Sequence, residues 1–528
     1  MKGHQLSRRQ FLGAVAGLAG LAAGCAPAST PLPGERLGGG DQPRYGGTLT
    51  FGLSSDPPNL DPHVATGTAA MNVKMQVYNG LVRYWRKGEV VPDLAESWET
   101  PDPTTYIFRL RRGVKFHDGS DFTARDVKAS LERILDPKVG ATRRADIRDI
   151  KEIVVVDDYT VRLNLSRPNA ALLAYLARPE CAILSARFLE AGGDPNVRAV
   201  GTGPFRLVSR EPGVRIVLEK NPDYFRQGRP YLDRVVFMAY PDENTRVTAI
   251  RAGDVDFIEY VPWKDTAALQ REPHIQVFSG YGPFMCLIFN VRQKPFDDPR
   301  VRRAFGYAVN RQSIIDVVFF GRGAPITGGL VPREHWAYNP NLEGTYTYDP
   351  NRARALLKEA GYGDELRVRL LSTSQYGMHQ STAEVVQNDL KKVGVQVDLE
   401  LYDWPTTVDK HNKGEYQFRV HGLAPEVNDP DFLTQFFRTD SPYTRSNGFS
   451  DPEVDRLLDE ARSTLDQGRR KALYGELERR LLELAPWVYL TWREQSEAAL
   501  KKVRGYEHLP GGLAFVSAIT LEEVWLEA

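Results

Sequence analysis

Cysteine and histidine are scarce in this sequence, and their scarcity narrows the kinds of protein it can encode. Only three cysteines and nine histidines occur among 528 residues. So few cysteines exclude a disulfide-rich scaffold; Cys181 and Cys286 can either pair outside the cytoplasm or remain buried free thiols. The histidines are scattered, and no pair has metal-ligand spacing beside a third ligand, so we expect neither a metal nor a cofactor.

An excess of charge of one sign is also absent. The chain has 68 basic and 68 acidic side chains and no stripe of Lys and Arg that could follow a phosphate backbone. No segment beyond the first residues is apolar for the ~20 positions that a membrane-spanning helix needs. These absences exclude a nucleic-acid-binding protein and a polytopic membrane protein.

Familiar catalytic motifs are missing as well. The sequence contains no G-x-S-x-G, S-x-x-K, H-E-x-x-H or G-x-x-x-x-G-K-[ST] pattern. His117 and Asp118 in "KFHDGS" could form a dyad, but Asp118-Gly119 is better interpreted as a tight turn with His117 bonding locally. "GTGPF" at 201–205 lacks the lysine of a phosphate loop and is interpreted as a crossing between lobes. We therefore expect a protein that is not an enzyme.

The first residues read as an export signal. Arg8 and Arg9 precede a short run of Gly, Ala and Leu, which is typical of a twin-arginine signal peptide over 1–24. The run ends in "AAGC", which resembles a lipoprotein cleavage site with Cys25 as the acylated residue; the alternative is a plain secreted protein. Residues 25–44 are rich in Pro and Gly and are interpreted as a flexible tether.

Hydrophobic periodicity beyond the tether predicts an α/β protein. Strands are predicted over 46–53 and 366–372, with hairpins over 152–165 and 203–221 that turn near Asp157 and Gly213. A helix over 380–393 and a strand over 395–401 complete a βαβ unit with parallel strands. Thr123 and Asp126 form a predicted capping box.

The stretch "DLAESWETPDPTTYIFRLRRGVKFHDGSDFTARDVKASLERILDP" at 93–137 resembles the signature of the family 5 extracellular solute-binding proteins, the peptide/nickel-type components of ABC importers. Later landmarks follow in that family's order, including "KNPDYF" at 220 and "YDPNRARALLKEAGY" at 348. The matched positions of the signature are Ala95, Ser97, Trp98, Tyr106, Phe108, Leu110, Arg111, Gly113, Val114, Phe116, His117, Asp118, Gly119, Ala124, Asp126, Val127 and Ser130.

The resemblance implies a three-lobed, periplasmic-binding-protein-like α/β fold (type II, cluster C), with ligand between two hinged lobes. Lobe I would comprise 45–75, 200–278 and 490–528, lobe II 76–199, and lobe III 279–489. The names lobe I, lobe II and lobe III denote these ranges below.

The resemblance also suggests a binding residue. Peptide-binding relatives use the Asp of a W-x-x-D stretch to meet the ligand's α-amino group, and Leu423 and Glu426 stand at those positions here. Glu426 can still neutralise an ammonium; the alternative is an ordinary loop carboxylate. Asp429, just before Pro430, is predicted to be a helix N-cap.

Aromatic and basic residues complete the predicted site. Candidates for the walls are Tyr402, Trp404, Trp492 and Tyr281, each of which could instead be core. Arg419 and Arg445 are candidates for a ligand carboxylate, although a solvated surface arginine is the usual case.

The sequence thus predicts a monomeric, lipid-anchored receptor at the extracytoplasmic face of a bacterial membrane that hands oligopeptides or dipeptides to ABC permease subunits. Within the same family the solute could instead be chelated nickel, haem, an opine or an oligosaccharide. Two other classes stay open: an exported hydrolase, and a protein that reports ligand occupancy to a membrane sensor.

Overall fold

The structure, a computed structural model, describes residues 42–64, 67–363 and 365–527. The predicted signal peptide, Cys25 and nearly all of the tether lie outside the described residues.

The strands of the described ranges form the sheets of the protein. They are β1 Thr48–Leu53, β2 Val82–Tyr84, β3 Val90–Pro92, β4 Ala95–Asp102, β5 Thr105–Leu110, β6 Ile150–Asp157, β7 Thr160–Leu165, β8 Phe205–Glu211, β9 Arg215–Lys220, β10 Arg234–Ala239, β11 Phe257–Ile258, β12 Ile275–Phe289, β13 Gly323–Pro325, β14 Leu366–Thr373, β15 Val395–Tyr402, β16 Phe418–Leu423, β17 Trp487–Leu500, β18 Val503–Arg504 and β19 Trp525–Leu526.

Helices pack against the sheets. They are α1 Thr68–Val77, α2 Ala124–Leu135, α3 Leu172–Leu176, α4 Ala186–Glu190, α5 Glu243–Ala252, α6 Trp263–Leu269, α7 Pro299–Ala308, α8 Arg311–Val318, α9 Pro350–Glu359, α10 Gly377–Lys391, α11 Trp404–Lys413, α12 Phe432–Phe437, α13 Pro442–Asn447, α14 Pro452–Ser463 and α15 Gln467–Leu484, with 3-10 helices at Pro179–Cys181, Pro340–Leu342 and Gly511–Glu523.

One mixed sheet runs through lobes I and III. Its strands follow the order β15-β14-β16-β12-β17-β11-β1-β10-β9-β8, with β13 paired to β17. The long strands β12 and β17 are antiparallel partners from Ile275 and Leu500 to Ile288 and Trp487, so both cross from one lobe to the other. This pair of strands is called the hinge below, because it is where the two lobes share a backbone.

Lobe II has its own antiparallel sheet, in the order β4-β5-β7-β6. The predicted hairpin is confirmed: β6 ends at Asp157 and β7 begins at Thr160. The capping box of α2 is confirmed too, with the Thr123 amide donating to Asp126 Oδ2 at 2.7 Å.

The predicted βαβ unit is present in lobe III. Strands β14 and β15 are parallel, from Leu366 opposite Val395 to Thr373 opposite Tyr402, and α10 connects them. The helix begins three residues before the predicted start. Gly394 follows it with φ +83°, which a glycine adopts without strain.

The residues considered for catalysis have structural roles. The carboxylate of Asp118 accepts from the Ser120 amide at 3.0 Å, as a turn aspartate does, and His117 Nε2 lies 3.0 Å from the Gly203 carbonyl. His117 therefore holds the crossing segment "GTGPF" against lobe II. Cys181 and Cys286 are both buried free thiols, which settles the alternative left open by the sequence.

Within the described ranges, no helix is long and apolar enough to span a membrane. The same part of the chain holds no group of three or more His, Cys, Asp or Glu side chains able to bind a metal ion.

Candidate functional site

A cleft of about 260 Å³ lies where residues of all three lobes meet. The residues from lobe I are Gly67, Thr68, Met71, Tyr260, Gly512 and Phe515. Those from lobe II are Thr142, Arg143, Arg178 and Glu180, and those from lobe III are Leu423, Ala424, Glu426, Gln435, Phe436 and Tyr443. Such a cleft is completed only when the lobes come together.

The lobe I wall of the cleft is positioned by the start of α1. Gly67 precedes the helix with φ 92°, a conformation that favours glycine. The Thr68 hydroxyl lies 3.2 Å from the Tyr260 hydroxyl, and the Tyr260 and Phe515 rings are 6.1 Å apart. These contacts fix two aromatic side chains in the wall.

Two buried arginines and two glutamates form the charged floor of the cleft. Arg178 grips Glu180 with two hydrogen bonds of 3.1 Å. Arg143 contacts Asp146 at 3.1 Å, Glu180 at 3.4 Å and the Oε2 atom of Glu426. Three polar atoms of this floor make no hydrogen bond in the described part of the chain: Glu426 Oε1, Arg178 Nη1 and the buried Arg143 Nε.

Burial and ion pairing set the protonation states in this floor. Burial raises the pKa of Glu180, but the charges of Arg178 and Arg143 outweigh it and lower the pKa to about 2. Burial prevails at Asp146 and raises its pKa to about 6, although Arg143 opposes the shift. Glu180 is therefore an anion at neutral pH, and the floor presents both signs of charge to a bound solute.

Glu426, predicted as the ammonium partner, does line the cleft, in the loop that follows β16. Leu423, the first residue of the same predicted stretch, lines it as well. Sequence reasoning missed Arg143, which holds the Glu426 carboxylate from 283 residues away. A distance of that size leaves no local sequence signal.

The prediction for Asp429 is wrong. The residue that precedes α12 is Asp431, and Asp429 instead forms an ion pair with Arg470 at 2.7 Å. Both carboxylates are buried, so each takes an arginine partner rather than only a helix terminus.

The four predicted wall aromatics lie outside the lining of this cleft. Trp404 packs edge-on against Tyr376, and the ring of Tyr402 lies under Lys410 at 4.9 Å. Trp492 and Tyr281 line a second cavity, of about 410 Å³. Their role in binding stays a prediction.

The two predicted carboxylate-binding arginines also lie outside the lining. Arg419 is buried in β16 and donates to His421 Nδ1 at 2.8 Å. Arg445 is exposed on α13. The aromatic walls that the cleft does have are Phe436 and Tyr443 besides the lobe I pair; nothing in the sequence distinguishes them from core aromatics.

A narrow contact separates this cleft from two outer cavities. A Cβ atom on Gly512 would overlap the carbonyl oxygen of Pro425, so the backbones of lobes I and III touch there. Beyond the contact lie the 410 Å³ cavity and another of about 570 Å³, which share Tyr281 and Gly511. The name glycine contact is used below for Gly512 against Pro425.

A family model described as bacterial extracellular solute-binding proteins, family 5 Middle, matches residues 89–445. The glutathione-binding protein GsiB of Salmonella typhimurium is 32% identical over 89% of this chain and 94% of its own length. The di/tripeptide-binding protein 2 of Pseudomonas aeruginosa is 32% identical over 90% and 95%.

Among solved structures, the PBP AgaA of A. tumefaciens R10 in complex with agropinic acid superposes with a TM-score of 0.83. It is 42% identical in sequence, and the match covers 91% of this chain and 99% of that one. The expected periplasmic-binding-protein-like α/β fold is thereby confirmed.

Proposed function

Because the chain belongs to the bacterial extracellular solute-binding proteins of family 5, which serve ABC importers, we propose that it captures a small amino-acid derivative, a dipeptide or an opine, for a membrane permease. The family and the relatives are binding proteins of transport systems, not enzymes. The specific solute, the site residues and the membrane anchor are the parts proposed here.

The charged floor of the cleft is the observation that carries this proposal. Glu426 Oε1 can accept from an ammonium and Arg178 Nη1 can donate to a carboxylate, and both residues line the same cleft. A zwitterionic head group pairs with both charges at once, which offsets the cost of its own desolvation. A neutral sugar would bring no opposite charge to either group.

The size of the cleft favours a small solute over a long peptide. Its 260 Å³ lies just below the roughly 300–1,000 Å³ of typical ligand pockets. The relatives named for glutathione and for di- and tripeptides, and the neighbour solved with agropinic acid, fall in the same size class and support the proposal.

Capture and closure are coupled in this proposal. The solute contacts lobes I, II and III together only when the glycine contact is made, so binding shifts the population toward the closed shape that a permease recognises. We further propose that Cys25 is acylated after export, with 25–44 as tether, which holds the receptor near the permease without a spanning helix.

Native mass spectrometry of residues 26–528, purified without refolding, tests the solute class. A spread of added masses in the range of short peptides supports the peptide branch, and one sharp non-peptide mass supports the opine branch. Recovery of a hydrolysed product after incubation would contradict the receptor role.

Calorimetric titration tests the role of Glu426. Dialanine and N-acetyl-dialanine are titrated into the wild type, Glu426→Gln and the control Glu365→Gln, whose exposed side chain makes no hydrogen bond. We expect Glu426→Gln to weaken dialanine binding about tenfold or more and to leave the acetylated form unaffected. Equal losses for both peptides would contradict an ammonium role.

A further inference from the structure

Arg493 lies at the point where the hinge passes from lobe I to lobe III. Strand β12 carries a bulge between Tyr281, opposite Glu494, and Phe284, opposite Trp492. Arg493 faces this bulge, and on its other side it pairs with Gly323 of β13. Arg493 therefore lies on the part of the hinge where lobe I joins lobe III.

Arg493 differs from every other buried arginine in the described residues. Each of the others donates at least one hydrogen bond, for example Arg462 to Asp431, Arg311 to backbone carbonyls and Arg419 to His421. Arg493 is only 7% exposed, yet it makes no hydrogen bond and no ion pair, and its Nε atom is enclosed without a partner.

No carboxylate of the described residues forms an ion pair with the Arg493 guanidinium. Its guanidinium lies 5.7 Å from the centre of the Trp263 ring, and the nearby carboxylate of Glu494 is taken by Arg322 at 3.0 Å. The other ionisable neighbours are Tyr260 and His379. Burial raises the pKa of Tyr260 to about 12, against the charge of Arg493.

The surroundings of His379 also carry an excess of positive charge. Burial lowers its pKa to about 3, and the charges of Arg419 and Arg493 act in the same direction. His379 is therefore neutral at physiological pH and cannot compete for an anion. Arg493 is close enough to Tyr260 for its charge to lower the pKa of that phenol, and Tyr260 lines the cleft.

A buried guanidinium without an anion is unfavourable, and its planar fork fits a carboxylate with two parallel hydrogen bonds. We propose that Arg493 is a further carboxylate subsite of the receptor, in addition to Arg178: it receives an acid group of the captured solute and so selects free acids over amides or esters of the same shape. This inference rests on the proposed function, because it requires a small solute in the cleft.

A thermodynamic cycle tests the subsite. Glutathione, agropinic acid and dialanine, each as free acid and as carboxamide, are titrated into wild type, Arg493→Gln, Arg493→Lys and the control Arg198→Gln, an exposed arginine whose side chain makes no hydrogen bond. We expect Arg493→Gln to weaken binding of the acid about 10- to 100-fold and of the amide hardly at all. Equal losses for acid and amide overturn the subsite.

The stability of the ligand-free protein gives a second readout that needs no ligand. If Arg493 is reserved for a solute, Arg493→Gln removes an uncompensated charge, and the unfolding midpoint of the ligand-free protein rises. A lower midpoint for Arg493→Gln than for the wild type means that the arginine is structural and overturns the proposal.

The two failures can be told apart. If no acid among the three binds the wild type, the proposed solute class and the subsite both fail. If an acid binds the wild type and Arg493→Gln equally well, the receptor for small solutes stands and only the subsite is wrong. Arg493→Lys keeps the charge but not the fork, so we expect intermediate affinity for the acid.

Discussion

Buried arginines at the contact between lobes II and III form ion pairs, whereas the buried arginine at the hinge forms none within the described residues. At the contact, Arg462 holds Asp431, which also accepts from the Tyr175 hydroxyl of lobe II at 2.8 Å, and Arg470 holds Asp429. At the hinge, the Arg493 side chain has no hydrogen-bond or ion-pair partner among the described residues. The paired arginines stabilise the contact between lobes II and III, whereas the unpaired arginine at the hinge fits the carboxylate subsite proposed above.

Asp431→Ala should give the largest loss of stability, because it removes the ion-pair partner of Arg462 and leaves that arginine unpaired, as Arg493 is. Arg462 would remain buried without its carboxylate, which typically costs about 3–5 kcal/mol of stability. Urea unfolding measures the loss, with Asp254→Ala, at an exposed and unpaired carboxylate, as the control.

The double variant Asp431→Leu/Arg462→Met sharpens this test. It removes both charges, so we expect it to recover most of the stability that Asp431→Ala loses. A loss below about 1 kcal/mol in the single variant would mean that water reaches Arg462 and that the two regions do not differ as described.

Gly512→Ala should have the next largest effect, on binding rather than on folding. An added methyl group overlaps the Pro425 carbonyl, so lobes I and III cannot make the glycine contact. We expect solute affinity to fall about 10- to 100-fold, because the closed state becomes a minor population. X-ray scattering of the variant with solute should then give a larger radius of gyration than that of the wild type.

Gly363→Ala is the matched control, since a Cβ atom there meets nothing within 4 Å. Unchanged affinity of Gly512→Ala would show that closure does not need this contact. A large drop in its unfolding midpoint would show instead that the contact belongs to the folded core.

Glu478→Gln should give the smallest change in stability. It tests a buried unpaired group that is negative when ionised, whereas Arg493 is positive. Glu478 is a buried carboxylate without a cation, and burial raises its pKa to about 7. The folded protein therefore keeps this proton to a higher pH than the unfolded chain, and stability falls as pH rises from about 4.5 to 7.

Glutamine removes this penalty and can still accept from the Val331 amide, which lies 2.8 Å from the carboxylate. We expect Glu478→Gln to exceed the wild type by about 1–3 kcal/mol in unfolding free energy at pH 8 and to match it near pH 4.5. Urea unfolding at both pH values measures the difference, and a deficit at pH 8 would contradict the prediction.

The sequence predicted the fold better than the site. Hairpins and the βαβ unit could be predicted because their signals are local: Asp157 at a turn, or Gly394 after a helix. The family resemblance located Glu426 in the same way. Arg143 and Tyr260 could not be predicted as its neighbours, because the contacts that bring them together join residues far apart in the chain.

Arg493 illustrates the remaining gap. In "WVYLTWRE" it occupies an alternating strand position, and its neighbour Trp492, a more conspicuous residue, was the predicted wall. Adjacent residues of a strand point to opposite faces, so Trp492 lines the outer cavity and Arg493 does not. Only the structure reveals that its charge is unpaired.

The glycine contact is made by main-chain atoms alone, and Gly282 meets the Gly511 carbonyl just as closely. The nearest atoms at both places belong to the main chain, so a change of the side chains that line the cleft leaves this approach of lobes I and III unchanged. Under the proposed function, the residues that select the solute can therefore diverge while the closed arrangement of the lobes stays the same.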